Sequence, residues 1–411
     1  MAKLFIEDLD LAGKRVIMRV DFNVPLKDGR IDNDKRLRAA LPSIRYVLGK
    51  GASLVLMSHL GRPNGKISDK LSLAPVAERL SELLGEPVKL LGDCVGADVE
   101  KACTAPSAGE VVLLENLRFH IEEEGKAKGP DGARIKANPE AVKAFRTSLT
   151  ALGDVYVNDA FGTAHRDHSS MTGVALPQRA AGYLMKKELD FLGDAVESPA
   201  RPFVAIIGGA KVSGKIDVIE SLLPRVDTLI IGGGMAYTFY KAQGKEIGGS
   251  LVENDRLGMA RALLEKGGDK LVLPVDTVVT DSFDFDARRV GTLKTVPWDG
   301  LGANDIGVDI GEKSRARFAE IVRGSKTVVW NGPMGVFEIP ETAKGTLTIA
   351  QALAEVTAAG AVTIVGGGDS VAAIEQNGLA DKVSHVSTGG GASLEFLEGK
   401  ALPGVTYLTD K

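Results

Sequence analysis

The sequence predicts an α/β protein with two doubly wound, Rossmann-like parallel-sheet domains joined by a hinge helix. Two observations predict this fold class. Short β-branched runs alternate along the chain with longer amphipathic stretches, which is the order that βαβ units and parallel sheet require. The chain has 411 residues, well beyond the roughly 150 residues that one core usually serves, so two domains of roughly 200 residues each are expected.

The apolar runs place the strands. In the first half we predict strands at 15–21, 53–58, 111–115 and 154–158. In the second half we predict strands at 203–207, 228–231, 271–279, 327–330, 361–365 and near 385. Apolar residues at helical spacing predict helices such as 73–85 and 216–226. The polar, Gly/Pro-rich stretch 121–139 predicts a surface loop.

The domain boundary is expected between the fourth and fifth strands. Residues 185–198 read as one helix that ends at Ser198-Pro199. A single connecting helix would act as a hinge between a first domain over 1–185 and a second over 186–399.

Composition narrows the function classes. The chain carries 50 basic and 54 acidic side chains, with a net charge of -4, which argues against a surface that tracks nucleic acid or anionic lipid. Its two cysteines, Cys94 and Cys103, form no CxxC pair, so neither a disulfide framework nor a zinc ribbon is expected. The start has no signal-peptide pattern, and no apolar run approaches the ~18 residues of a membrane span. We expect a cytoplasmic protein without a membrane or nucleic-acid partner.

Basic side chains follow the strands of the first half. Ligands of open parallel sheets bind beyond the carboxyl ends of the strands, where several converging arginines suit a small, multiply charged anion. For any single arginine a surface ion pair is the simpler interpretation, but their recurrence at successive strand ends favours a shared anion pocket. The segments are Asp21-Phe22-Asn23, His59-Leu60-Gly61-Arg62, Asn116 to His120 with Arg118, and His165-Arg166, with Arg36 and Arg38 after the first strand.

Glycines follow the strands of the second half. The chain has 49 glycines, about 12% against a usual ~7%. A glycine turn that opens a helix lets backbone N–H groups approach an anion closely, and several on one sheet suggest a nucleotide site. One such turn alone would only be a tight connection. The turns are 208–211, 232–235, 332–335, 366–370 and 388–391.

Several familiar motifs fail to match. Residues 209–215 fit GxxxxGK, but Ile216 stands where a P-loop needs Ser or Thr, so we reject a P-loop and keep Lys211 and Lys215 as phosphate ligands. Tyr237 replaces the third glycine of a GxGxxG pattern, which weakens a dinucleotide interpretation. His165 and His168 have metal-ligand spacing, but no third ligand is evident.

An anion pocket and a nucleotide site on two domains together favour phosphoryl transfer, which depends on positioning and charge stabilisation. Lys215, Arg36 and the helix start at Gly389–Gly391 suit the electrostatic role. Asp369 has the ligand type that Mg²⁺ prefers, or it could cap a helix, and both roles could coexist.

Nine motifs along the chain resemble the phosphoglycerate kinase family: RVDFNVP, SHLGRP, ENLRFH, NDAFGTAHR, GGAKVSGK, GGGMAYTF, WNGPMGVFE, GGGDS and STGGGASLE. The resemblance implies reversible transfer between 1,3-bisphosphoglycerate plus ADP and 3-phosphoglycerate plus ATP, with Mg²⁺, in glycolysis. It also implies a monomer that closes about its hinge for direct in-line transfer, and a chain end, 400–411, that returns to the first domain.

The resemblance also implies residue roles. The phosphoglycerate site would comprise Asp21, Phe22, Asn23, Arg36, His59, Leu60, Gly61, Arg62, Arg118, His165 and Arg166. The nucleotide site would comprise Gly209, Lys211, Lys215, Gly233, Gly234, Gly311, Glu338, Gly367, Gly368, Asp369 and Ser370, with Asp369 on Mg²⁺. Arg36, Lys215 and the amides of Gly389, Gly390 and Gly391 would stabilise the transferring phosphoryl group. The family pattern usually has Thr at the position of Ser370, and serine keeps the hydroxyl.

Two alternatives remain at this point. One is a nicotinamide-dependent dehydrogenase on two Rossmann-like domains, against which the missing third glycine counts. The other is a non-catalytic binding protein that keeps the kinase fold, against which the presence of Arg36, Lys215 and Asp369 counts.

Overall fold

A computed structural model describes residues 3–104 and 107–411. The chain folds into two compact units, unit 1 with residues 1–189 and 401–411, and unit 2 with residues 190–400. The division falls inside a continuous helix, Tyr183–Glu197, which covers most of the predicted helix 185–198.

The first 189 residues supply the strands of unit 1. The strands are β1 Arg15–Arg19, β2 Leu26–Lys27, β3 Arg30–Ile31, β4 Ser53–Met57, β5 Val88–Leu90, β6 Val111–Leu113, β7 Lys126–Lys128, β8 Arg134–Lys136, β9 Val155–Asn158 and β10 Arg179–Ala181. The helices are α1 Lys35–Gly49, α2 Ala74–Leu84, α3 Ala97–Thr104, α4 Ile121–Glu124, α5 Pro139–Ala151, α6 Ser169–Thr172 and α7 Tyr183–Glu197. Short 3-10 turns include Leu117–Phe119 and Phe161–Thr163.

Unit 1 is built on a six-stranded parallel sheet in the order β10-β9-β1-β4-β6-β5. The chain runs from β1 outward through β4 to β5 and β6, then crosses to β9 and β10 on the other side. Strand order therefore reverses beside β1, which is where open α/β sheets bind ligands. Two hairpins, β2-β3 and β7-β8, lie outside this sheet.

Unit 2 contributes a second set of elements. Its strands are β11 Phe203–Ile207, β12 Thr228–Ile231, β13 Leu271–Val272, β14 Asp276–Thr280, β15 Phe283–Asp284, β16 Arg289–Val290, β17 Leu293–Pro297, β18 Ile306–Ile310, β19 Thr327–Asn331, β20 Val362–Gly366 and β21 His385–Val386. Its helices are α8 Ile216–Leu222, α9 Met235–Ala242, α10 Leu257–Gly267, α11 Glu312–Arg323, α12 Lys344–Ala358, α13 Gly368–Gln376 and α14 Gly391–Leu397.

The main sheet of unit 2 is parallel, in the order β13-β12-β11-β19-β20-β21. Numbered within this sheet, that is the 3-2-1-4-5-6 order of doubly wound nucleotide-binding folds, with the reversal between β11 and β19. A small antiparallel sheet, β17-β14-β18, is formed by the segment between β13 and β19.

Each unit has its own apolar core. In unit 1, Val16 and Met18 of β1 and Leu54 of β4 pack with Ile44 of α1 and Leu80 of α2, all at most 1% exposed. In unit 2 the core includes Ile206, Trp330 and Phe318, all fully buried. The two separate clusters follow from the alternation of apolar strands and one-sided helices read in the sequence.

Residues 401–411 return to unit 1, where Pro403–Thr406 forms α15. Leu4 N donates to Thr409 O at 2.8 Å, and Lys3 and Asp410 form an antiparallel bridge and an ion pair at 2.7 Å. The two ends of the chain are thereby joined to one another on the same unit.

The predicted α/β fold with two doubly wound parallel sheets is confirmed, while several local predictions are wrong. The stretch 121–139 is not a plain loop, because it forms α4 and the β7-β8 hairpin, and its last two residues, Asn138 and Pro139, cap and begin α5. The single strand predicted at 271–279 is two strands, β13 in the main sheet and β14 in the antiparallel one, separated at Pro274. Strands β5 and β10 of the main sheet, and β17 and β18 of the antiparallel sheet, had no prediction, because none of them is a continuous run of buried apolar residues. Among the described residues, no helix combines the length and apolar character needed to span a membrane.

Candidate active site

The basic segments of unit 1 follow four neighbouring strands of its sheet. Asp21 comes two residues after β1, His59 two after β4, Asn116 three after β6, and His165 in the connection after β9. Because β9, β1, β4 and β6 are adjacent and parallel, these segments emerge at one edge of the sheet.

His59 has a fixed tautomer. Arg19, at the end of β1, places Nη2 3.0 Å from His59 Nδ1. A guanidinium can only donate, so Nδ1 accepts and the ring proton of the neutral imidazole resides on Nε2. Burial holds the pKa of His59 well below its usual value, and the charges of Arg19, Arg118 and Arg36 lower it further. His59 is therefore a neutral side chain with Nε2–H as its donor.

The charge of buried Arg19 is compensated by a carboxylate that it reaches through one serine. Its side chain is fully buried, and its Nε donates to Ser170 Oγ at 2.8 Å. Ser170 in turn donates from Oγ to Glu123 Oε1 at 2.6 Å and from its amide to Oε2 at 2.9 Å. Glu123 is 1% exposed. The buried cation and the buried carboxylate are thus connected through one serine, which satisfies both.

Arg118 is held by the same edge of the sheet. Asn116 Oδ1 accepts from the amides of Leu60 and Arg118, which fixes the turn that carries the guanidinium. Arg118 Nη1 donates to Gly61 O at 2.9 Å, and Nη2 lies 3.4 Å from Glu124 Oε1. Its Nε is buried with no hydrogen-bond acceptor among the described residues, and burial lowers its pKa. The guanidinium therefore keeps unused donor capacity.

Arg36 and the segment after β1 form a third part of the site. Arg36 Nη1 donates to Asp21 Oδ2 at 2.5 Å. Asn23 Oδ1 accepts from Gly61 N at 2.8 Å, which connects the loops after β1 and β4. Phe22 and Leu60 are buried, so their side chains support the loops.

The segment after β9 brings two histidines and one more arginine. Burial lowers the pKa of His165 to about 4 and that of His168 to about 3, and the charge of Arg166 contributes to both shifts. His168 Nε2 lies 3.8 Å from Glu124 Oε1. The His165 and His168 pair belongs to no cluster of three or more possible metal donors found among the described residues.

The charges of Arg36, Arg118 and Arg166 all act on histidines of this edge, Arg36 on His59, Arg166 on His168, and Arg118 on both. Arg62 has an exposed side chain, and no described contact ties it to the others. Arg38 lies outside the cluster, because its Nε pairs with Asp34 at 2.9 Å on the surface.

Unit 2 contains a cavity of about 690 Å³ between its glycine turns and its antiparallel sheet. Gly209, Gly233 and Gly234 form one side of the cavity, and Glu338 and Asp369 also line it. All five are residues that the sequence analysis named for the nucleotide site. The remaining walls are mainly apolar or aromatic, from Tyr237, Leu251, Phe283, Phe285, Met334 and Val336. A cavity of this size and lining suits a flat organic ring system.

A second, polar chamber of about 350 Å³ shares Gly209, Ala210 and Asp369 with the first. Lys211, Lys215 and Asn331 line it, together with Gly367, Gly368, Gly390 and Gly391. Lys215 Nζ donates to Asn331 Oδ1, and burial lowers the pKa of Lys215 against the opposing charges of Asp369 and Glu398. The apolar chamber therefore continues into a polar chamber that is lined by two lysine side chains and by glycine backbone.

Two glycines allow the turns after three strands to approach one another closely. At Gly233 (φ +69°) a Cβ would lie 2.6 Å from Gly209 N and O, and at Gly332 (φ +101°) it would lie 2.1 Å from Gly208 O. Any side chain there would push apart the turns after β11, β12 and β19. The backbone of these turns, which lie at the reversal of strand order, therefore forms the floor of both chambers.

Asp369 and Ser370 differ in whether their side chains can reach a ligand. Asp369 lies in the first turn of α13 after Gly367 (φ +85°), and its exposed carboxylate lines both chambers. Ser370 is fully buried, and its Oγ accepts from Gly332 N at 2.6 Å. One free carboxylate beside a phosphate-sized chamber fits Mg²⁺, which keeps several waters and takes one or two protein carboxylates together with phosphate oxygens.

Two further predicted parts of the nucleotide site, the turn 389–391 and Gly311, only partly line the chambers. Gly389 N already donates to Ser387 Oγ at 3.1 Å, whereas Gly390 and Gly391 line the polar chamber at the start of α14. Gly311 precedes α11 with its backbone against the Asp276 carboxylate, while its neighbour Ile310 lines the apolar chamber.

Sequence reasoning missed two kinds of residue. Arg19 sits in an apolar strand, and a charged residue at a buried strand position was the signal that could have revealed it. The aromatic walls Phe283 and Phe285 come from a hairpin, β15-β16, that carries no strand-end signal.

Comparison with known proteins identifies the family. A model of the family described as phosphoglycerate kinase matches residues 6–400. The probable phosphoglycerate kinase of Caenorhabditis elegans is 55% identical over 413 residues, covering 99% of this chain and 98% of that one. Phosphoglycerate kinase 1 of Homo sapiens is 54% identical over 414 residues, 99% of each chain. The chain belongs to the phosphoglycerate kinase family.

The solved structures agree. The structure of phosphoglycerate kinase from Coxiella burnetii matches with a TM-score of 0.86 and 41% identity, over 98% of both chains. The resemblance read from the nine motifs is therefore confirmed, and with it an activity of the phosphotransferase class with a carboxyl group as acceptor. Neither the dehydrogenase nor the non-catalytic alternative is supported.

Proposed function

We propose that the chain catalyses reversible, Mg²⁺-dependent phosphoryl transfer between 1,3-bisphosphoglycerate plus ADP and 3-phosphoglycerate plus ATP, with the phosphoglycerate bound by unit 1 and the nucleotide by unit 2. The observation that carries the proposal is the contrast between an arginine cluster on one sheet and a cavity floored by glycine backbone on the other, within a chain of this family.

Unit 1 has the chemistry of a phosphoglycerate site. 3-Phosphoglycerate carries a carboxylate and a phosphate, and Arg36, Arg118 and Arg166 supply guanidinium groups that match both anions. Because the histidines there stay neutral, His59 contributes a hydrogen bond through Nε2 and the positive charge comes from arginine. Arg62, exposed at the same strand end, is a further ligand in this proposal.

Unit 2 has the chemistry of a nucleotide site. The apolar chamber would hold the adenosine end, with Glu338 and Gly311 beside it, and the polar chamber the phosphates, with Lys211, Lys215 and Gly367 to Ser370. Asp369 would hold the metal ion, which when bound neutralises charge on the nucleotide phosphates.

The step itself is a direct transfer. A carboxylate oxygen of 3-phosphoglycerate forms a bond to the γ-phosphorus of ATP, while the bond from that phosphorus to the β–γ bridging oxygen breaks and ADP leaves. Arg36, Lys215 and the amides of Gly390 and Gly391 would stabilise the charge on the equatorial oxygens. The amide of Gly389 would join them only if it gave up its bond to Ser387 Oγ.

The proposal includes a cytoplasmic, monomeric enzyme of glycolysis. Light scattering at working concentration tests the monomer.

The decisive experiment follows consumption of 3-phosphoglycerate and MgATP by the purified chain, coupled to NADH oxidation, beside Lys215→Ala. Turnover by the wild type and its loss in the variant are expected. Detectable ATP binding without turnover on 3-phosphoglycerate would contradict the proposed acceptor, and turnover that does not depend on Mg²⁺ would contradict the role of Asp369.

A further inference from the structure

A second cluster of reactive side chains lies in unit 1 and contains none of the residues proposed to bind phosphoglycerate. Asp93 and Cys94 lie in the loop after β5, and His120 lies directly after the 3-10 turn Leu117–Phe119. One carboxylate oxygen, the thiol sulfur and one ring nitrogen all lie within 4.8 Å of one another. Among the residues that the structure describes, this is the one group of three or more possible metal donors.

The three donors are held in place by their surroundings. His120 Nε2 lies 2.6 Å from Asp93 Oδ1, and Cys94 N donates to the same oxygen at 2.6 Å. The His120 ring packs against Phe145 with centroids 5.4 Å apart. The Cys94 amide bond and the packing on Phe145 can persist when an ion binds, so both ligand segments are ordered beforehand, which reduces the ordering cost of binding.

The cluster does not have the properties of a nucleophilic triad. The Cys94 side chain is fully buried, and burial beside Asp93 and Glu123 raises the pKa of its thiol well above the usual value. A reactive cysteine needs a lowered pKa and access to a substrate, and this residue has neither. The cluster is therefore not a nucleophilic site.

We propose that Asp93, Cys94 and His120 form a zinc site with three protein ligands and one position open to water. A thiolate sulfur with an imidazole nitrogen suits Zn²⁺, and a carboxylate completes a set that Mg²⁺, which prefers oxygen, does not favour. A tetrahedral Zn²⁺ with bonds of about 2.0–2.3 Å separates its donors by roughly 3.3–3.8 Å. To bind the ion, the His120–Asp93 contact of 2.6 Å would open to about 3.3 Å, and the sulfur, which lies within 4.8 Å of both donors, would settle about 3.5 Å from each.

Binding also balances chemically. The thiol of Cys94 loses its proton to solvent as sulfur binds the ion. The imidazole carries its one proton on Nδ1 when Nε2 binds, so the ring stays neutral. The open position falls on the solvent side, since the side chains of Asp93 and His120 are 46% and 28% exposed.

The site would connect two parts of unit 1. It joins the loop after the edge strand β5 to the turn that carries Arg118 two residues before His120. Bound zinc would thus act as a clip between the edge of the sheet and a turn of the anion site, without touching a substrate.

Cobalt(II) gives a direct test, because a thiolate bound to Co²⁺ absorbs in the near ultraviolet. The full chain is treated with a chelator, titrated with Co²⁺ in excess Mg²⁺, and then with Zn²⁺. We expect one Co²⁺ per chain, a thiolate charge-transfer band, and loss of that band as Zn²⁺ displaces Co²⁺. Wild-type chain that shows no band overturns the proposal.

Variants assign the ligands. Cys94→Ala and His120→Gln should each abolish the band, and Asp93→Asn should weaken cobalt binding at least tenfold. Cys103→Ala is the matched control, because Cys103 is equally buried and belongs to no donor cluster among the described residues; it should keep the band. A band that survives in either of the first two variants, or that is lost in the control, excludes the site. Far-ultraviolet circular dichroism checks each fold, and if Cys94→Ala does not fold, the partly exposed His120→Gln decides.

Discussion

The two units have their proposed anion sites at the same point of the fold, the reversal of strand order in a parallel sheet, but the sites are built from different groups. In unit 1 the site is built from long charged side chains, and buried partners such as Ser170 and Glu123 hold Arg19 and, through it, His59. In unit 2 the site is built largely from backbone, where Gly233 and Gly332 let three turns approach one another.

This difference predicts that the two proposed sites respond differently to substitution. A side-chain site loses affinity when one guanidinium is removed but keeps its fold. A backbone site fails when a side chain is added, because the new atoms meet main chain that cannot move aside. The following variants test this contrast, from the largest expected effect to the smallest.

Lys215→Ala should lower kcat by at least ~100-fold, with a milder effect on nucleotide affinity, because the ammonium is proposed to act most strongly on the transferring phosphoryl group. Steady-state kinetics with MgATP measures this. Lys241→Ala is the control, since Lys241 is a half-buried lysine of the same unit that pairs with Glu246, and it should leave kcat near wild type. An unchanged kcat in Lys215→Ala would remove Lys215 from the mechanism.

Gly233→Ala should destabilise unit 2 and weaken ATP binding. Gly378→Ala is the matched control, since Gly378 has a similar φ of +64° but open space where a Cβ would stand, against 2.6 Å to backbone at Gly233. The control should cost about 1 kcal/mol for the backbone conformation alone, and Gly233→Ala about 1–3 kcal/mol more for overpacking. Denaturant unfolding and calorimetric titration with ATP measure both. Equal losses would show that the close approach of the turns is unimportant.

Arg118→Ala should raise the KM for 3-phosphoglycerate at least ~10-fold and leave ATP affinity unchanged, because a charged hydrogen bond contributes about 1.5–3 kcal/mol. Arg62→Ala should act in the same direction. Arg38→Ala is the control, since its guanidinium pairs with Asp34 at the surface. Calorimetry with each substrate separately gives the two affinities, and equal losses for both ligands would contradict the assignment of one substrate to each unit.

His59, His165 and His168 should not titrate between pH 8 and 5. The pKa of His165 is lowered to about 4 and that of His168 to about 3, and burial lowers that of His59 as well. Because the shifts are downward, the rings are already neutral above these values, and the charge of the site does not fall as pH rises through 6.5. Imidazole C–H shifts in NMR measure this, with the urea-unfolded chain as reference near 6.5. Midpoints near 6.5 in the folded chain would show that the rings are solvated and free.

The sequence predicted the architecture well because periodicity and strand-end residues are local signals. Gly209, Lys215 and Asp369 were identified as nucleotide-site candidates from their turns, and all three line the chambers. The role of Arg19 could not be predicted, since it depends on Ser170, 151 positions away in sequence. The occupied amide of Gly389 could not be predicted either. It donates to the hydroxyl of Ser387, only two residues away, and no sequence pattern indicates that bond.

The return of residues 401–411 to unit 1 has a consequence for synthesis on the ribosome. Residues 190–400 form a continuous unit, so they can fold while the chain is still being made. Unit 1 begins first but lacks Thr409 and Asp410, the partners of Leu4 and Lys3, until residues 190–400 have been translated. Unit 1 therefore starts to emerge before unit 2 but is completed after it.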